Sequence, residues 1–68
     1  MSVGRVTEIT AESPTSFEDA IKVGIARATS TLRGVQSAWI QEQQVSIQDD
    51  GSIRGYRVTM KIVFMLEG

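Results

Sequence analysis

From Tyr56 to Leu66 every second residue is apolar: Tyr56, Val58, Met60, Ile62, Phe64 and Leu66. A period of two belongs to a strand, because successive side chains point to opposite faces of a sheet. One face of this strand is therefore apolar throughout and should lie under a helix. The other face begins polar, with Arg57, Thr59 and Lys61, and ends apolar, with Val63 and Met65. Such a strand asks for full cover on one side and partial cover on the other.

The preceding chain shows where that cover comes from. Asp49-Asp50-Gly51-Ser52 separates residues 53–67 from a second strand over 36–48. Asp-Gly readily takes positive φ, so a tight turn here makes the two strands antiparallel neighbours. In the second strand Ala38 and Ile40 share one parity, while Trp39, Val45 and Ile47 share the other. This predicts a strand with apolar residues on both faces. Residues 2–12, with Val3, Val6 and Ile9, read as a further strand that Pro14 ends.

Between the first two strands lies a helix. Thr15 and Glu18 fit the T-x-x-E capping box, and Asp19 complements the positive end of the helix dipole. Phe17, Ala20, Ile21, Gly24, Ile25, Ala28 and Leu32 recur at helical spacing on one face. Gly24 and the alanines make that face thin, so the helix can lie close to a sheet. Arg33 suits the carboxyl end and Gly34 the stop.

The expected fold is α+β: one β-α-β-β domain over residues 1–68, a three-stranded antiparallel sheet packed on one helix. A chain of 68 residues buries only roughly 60% of its unfolded surface and usually needs a staple. With no cysteine and no histidine, disulfides and Cys/His zinc sites are excluded. One helix covers one sheet face, so apolar residues on the other face call for another subunit.

Seven basic and eight acidic residues give a net charge of −1 with no basic block, which argues against a nucleic-acid surface. The start, Met1-Ser2-Val3-Gly4-Arg5, has no apolar h-region. No apolar run approaches the ~20 residues that span a bilayer. The expectation is a soluble cytoplasmic protein without membrane or nucleic-acid partners.

The missing histidine and cysteine also remove the commonest nucleophile–base pairs, and no acid–base pair can be named. A binding protein is expected rather than an enzyme. The acids fall mainly at helix starts and turns, where they cap and solubilise. Asp49-Asp50-Gly51 lacks the spaced ligands and closing Glu of an EF-hand and reads as a turn. Trp39 is the only tryptophan and shares its parity with Gln41 and Gln43. It reads first as a subunit-interface aromatic, and as a candidate stacking platform for a planar ligand. Arg57 points outward, either to a carboxylate of the protein or to a carboxylate, phosphate or ring carbonyl of a ligand.

Taken in order, several segments resemble the dodecin family across essentially the whole chain. They are Ser13-Pro14-Thr15-Ser16-Phe17-Glu18-Asp19-Ala20-Ile21, Gly24-Ile25-Ala26-Arg27-Ala28 with Thr31-Leu32-Arg33, Ser37-Ala38-Trp39-Ile40, and Tyr56 to Phe64. The resemblance implies twelve copies in a hollow shell of cubic symmetry. Many dodecins bind riboflavin or FMN, stacking a strand-two Trp on the ring and hydrogen-bonding it with a strand-three Gln. The suggested role is to sequester flavin and quench its photochemistry.

This chain departs from that pattern twice. Arg57 stands at the Gln position, and counting from Leu32-Arg33 places Ser37 at the Trp position. Two residues keep the strand face but move a ring roughly 6–7 Å along it. Arg57 only donates and is always charged; pairing it with Glu42 would fill the site. Calcium is associated with family members that lack the Trp and Gln pair. The resemblance therefore implies a homododecameric binding or storage protein for another small ligand or a metal ion. The alternative is a flavin binder using Trp39, Arg57, Gln41 and Gln43.

Overall fold

The computed structural model describes residues 3–66. Met1, Ser2, Glu67 and Gly68 lie outside them, so the expected strand ends at Ser2 and Glu67 fall beyond what is described. The elements are β1 (Val3–Ser13), α1 (Phe17–Thr31), β2 (Val35–Ile47) and β3 (Ile53–Leu66). They form a three-stranded sheet in the order β1-β3-β2, antiparallel at both junctions. No described helix is long and apolar enough to cross a membrane.

β3 is the central strand, which explains its unbroken alternation. Its even-numbered residues face α1, and Val58, Met60 and Ile62 are fully buried there with Ala11, Ala20 and Ala28. Tyr56 joins them at the edge, its ring edge-on to Phe17 at 5.1 Å between centroids. The thin helical stripe allows the expected close approach. A Cβ added at Gly24 would stand 3.1 Å from Ala11 Cβ and 2.9 Å from Met60 Cε.

The helix termini differ in detail from expectation. The N-cap is Ser16, one residue after Thr15, and its hydroxyl accepts the Asp19 N–H at 3.0 Å. The buried Ser13 explains the shift. Its Oγ accepts the Thr15 N–H at 3.0 Å and donates to Asp19 Oδ2 at 2.6 Å. Thr15 is thereby held in the turn that leaves β1. At the other end the Leu32 N–H caps Ala28 O, so Arg33 falls past the last turn. Gly34 has φ 71° and its carbonyl accepts the Met65 N–H at 2.9 Å. A Cβ there would lie 2.7 Å from Met65 O, so backbone conformation and space both require glycine.

The larger departure is in β2. The register with β3 shifts between Val35 and Ser37 and again between Ile40 and Glu42. Gln36 and Gln41 are the extra residues, left without a partner opposite. Each bulge reverses the inside–outside alternation. Val35, Ala38, Ile40 and Val45 consequently all share the α1 side with the even-numbered residues of β3. The expectation that β2 is apolar on both faces is corrected: beyond Gln41 its apolar residues return to the helix side, and Trp39 is its one outward apolar residue up to Ser46.

Candidate functional site

The sheet face turned away from α1 is built in rungs, one residue from each strand. Pairing across β1, β3 and β2 gives Glu12–Arg57–Gln44, then Thr10–Thr59–Glu42, then Glu8–Lys61–Trp39, then Val6–Val63–Ser37. Gly4 and Met65 close the apolar end. The face grades from charged at one end to apolar at the other, because β3 itself does so.

Arg57 is engaged within the chain. Its Nε donates to Glu12 Oε1 at 2.6 Å, and its Nη2 contacts the same oxygen. Glu42, which the sequence offered as a carboxylate able to pair with it, instead faces Thr59 one rung away; the bulge at Gln41 brings Glu42 to the outer face rather than opposite Val58. Both members of the Arg57–Glu12 pair are half-exposed, with side chains 42% and 56% accessible. Solvent screening therefore holds its net worth to about 1 kcal/mol or less. Chemically it matters more: the guanidinium that would meet a ligand already carries a carboxylate.

Trp39 is 63% exposed, and its indole meets the Lys61 ammonium at 5.2 Å from the ring centroid. Lys61 was not singled out as a site residue from the sequence. The sequence does carry a signal for it, since the Asp-Gly turn makes the second and third strands antiparallel neighbours. What was missing was the register that sets Lys61 opposite Trp39.

The four residues named from the sequence are not brought together. Trp39 and Arg57 share the outer face, but their rungs are four residues apart on β3, roughly 13 Å. Gln41 is the bulged residue. Gln43 pairs with Val58 and so belongs to the helix side, correcting its expected parity with Trp39. Gln44 takes its place beside Arg57. Ser37 and Trp39 lie on one face with no register shift between them.

No described group of three acids converges in a way that would hold a metal ion. An open trough of about 450 Å³ lies elsewhere, between β1 and α1, lined by Ile9, Ala11, Val23, Gly24, Ala28 and Leu32, among others. It is mostly apolar, with Arg27 and Glu12 at its border, and it exists because the small-residue stripe leaves the helix flank unfilled.

The family model described as Dodecin matches residues 3–67. The chain is 32% identical over 66 residues to the calcium dodecin of Mycobacterium tuberculosis, covering 97% of this chain and 92% of that protein. The solved dodecin of Streptomyces davaonensis is 36% identical with a TM-score of 0.91, covering 98% of this chain and 97% of that one. The crystal structure of the Mycobacterium tuberculosis calcium dodecin superposes with a TM-score of 0.83 at 30% identity, covering 97% and 93%. The family model spans nearly the whole chain and these relatives are at least 30% identical over nine-tenths or more of their length: the chain belongs to the dodecin family.

Proposed function

We propose that this is a cytoplasmic, non-enzymatic binding or storage protein that works as a homododecamer. It holds a small ligand or metal ion on the outer sheet face without the usual flavin stack. The observation that carries the reading is the Arg57–Glu12 pair. A flavin edge needs a donor and acceptor such as an amide, and here it would meet a cation already satisfied by a carboxylate. The outward position of Trp39, two residues along β2 from Ser37, supports the same conclusion.

Calcium is the first metal to consider, since a relative carries it in its name. Calcium takes six to eight oxygen ligands. The outer-face carboxylates Glu8, Glu12 and Glu42 do not converge within one chain, so a site of that kind draws ligands from more than one copy. The same holds for any ligand that meets both Trp39 and Arg57. The flavin reading keeps one observation in its favour, the exposed indole on the face shared with Arg57.

Titration of the assembled protein separates the readings. Riboflavin and FMN should leave their fluorescence unquenched at micromolar protein, and the purified protein should be colourless between about 350 and 500 nm, where a bound flavin absorbs. Calorimetry with calcium should give saturable heats that Glu42→Gln and Glu8→Gln reduce. Strong flavin quenching abolished by Trp39→Ala would establish the flavin reading instead.

A further inference from the structure

We propose that Lys61 sets the ligand class of the Trp39 platform. It keeps neutral flat rings off the indole and admits flat rings that carry a single negative charge. The proposal rests on the outer face being the binding surface, and it goes further by naming the chemistry that face selects.

Two cations stand on this face, both on β3. Arg57 is committed to Glu12. Lys61 makes no ion pair among the described residues, although Glu8 faces it across β1. Its ammonium lies instead over the Trp39 ring. An ammonium over an indole is attracted by the negative face of the ring. The flattest and most exposed apolar surface on this side of the molecule therefore already has an occupant, supplied by the chain.

A neutral ring that stacks on the indole face under the ammonium displaces that ammonium and returns nothing to it. A ring bearing a carboxylate or sulfonate can stack and give the displaced ammonium an ion-pair partner, so the lost contact is replaced. The flanking acids limit how much negative charge is tolerated. Glu8 shares the Lys61 rung and Glu42 sits one rung away beside Thr59. A second negative charge on the ligand would face two carboxylates with one cation between them. The favoured class is thus a planar aromatic monoanion.

The test is isothermal titration of the assembled protein with naphthalene-2-sulfonate, its neutral analogue naphthalene-2-sulfonamide, and the dianionic 2-naphthyl phosphate. The wild type should bind the sulfonate about tenfold more tightly than the sulfonamide, as expected where one charge partner decides recognition. The phosphate should be weaker than the sulfonate. In Lys61→Met, which keeps a long unbranched side chain without the charge, the sulfonamide should tighten and the two affinities should converge. Trp39→Leu should weaken all three probes. Equal discrimination in Lys61→Met and wild type would overturn the proposal, as would preference for the neutral probe or absence of binding to any of them. Sedimentation of the same samples reads assembly separately. A correctly assembled shell that ignores all three probes removes this proposal and leaves the assembly intact.

Discussion

Gly24 is the residue on which the helix–sheet contact turns. Its Cα side faces Met60 Cε and Ala11 Cβ closely enough that a methyl group does not fit without movement. Met60 is flexible and can yield, but Ala11 sits on a strand and yields less. Replacing glycine with alanine raises helix propensity by about 1 kcal/mol, while overpacking a core costs about 1–3 kcal/mol. Gly24→Ala should therefore be a net loss of about 1 kcal/mol, read as a lower denaturation midpoint at matched protein concentration. An unchanged or raised midpoint would mean that the helix slides away freely. The sequence indicated this contact, since a glycine amid alanines on an apolar helical stripe implies close packing. It did not reveal the partner of Arg57. Choosing between Glu12 and Glu42 requires the register of both flanking strands, and register is a property of pairs of strands rather than of either alone.

At the scale of elements, what was legible follows from period. The helix of Phe17–Thr31 and the strand of Ile53–Leu66 repeat at 3.6 and 2 residues, and both were readable directly. β2 was readable as a strand but not by face, because its bulges at Gln36 and Gln41 involve no glycine and leave no compositional mark. Parity carried across Gln41 reverses sign, so counting by twos sets Gln43 beside Trp39 although it lies on the helix side. The hairpin that follows was legible from Asp-Gly, and Gly51 does take φ 89°. Asp50 stabilises it: its Oδ1 accepts from Ser52 Oγ at 2.6 Å and from the Ser52 N–H at 2.9 Å. These bonds, the side-chain one first, hold the carboxyl below its ordinary value. A carboxyl whose folded value is depressed adds stability above its unfolded value, and that stability fades as pH falls through the folded one. The difference in stability between wild type and Asp50→Ala should thus be constant near neutrality and shrink in acid, below about pH 4. Denaturation curves at stepped pH check this, and a difference that persists undiminished at the acid end contradicts it.

The molecule as a whole is too long for its size. Its extents are 53 × 19 × 13 Å and its radius of gyration is 14.1 Å, whereas a compact chain of this length has about 11 Å. Its accessible surface is 5022 Å², against about 4,200 Å² for a compact monomer of this mass. The excess, roughly 800 Å², is what one partner contributes to a stable protein–protein interface. The reason is visible in the elements: α1 has 15 residues and β3 has 14, but a strand rises about twice as far per residue as a helix. The helix cannot reach the ends of the sheet. Val6 on the outer face, Val23 beside the β1 trough, and the Ile47–Ile53 pair at the hairpin end remain exposed. Since β2 turns its other apolar residues toward α1, these patches and the length mismatch, rather than a two-sided β2, are what call for neighbours. If neighbours supply the missing cover, folding and association are one equilibrium, and stability must depend on concentration. The denaturation midpoint, measured after full equilibration, should fall steadily over about a hundredfold dilution, with secondary structure and sedimentation coefficient lost together. A midpoint that stays fixed while sedimentation reports single chains would mean that one helix suffices to hold the sheet.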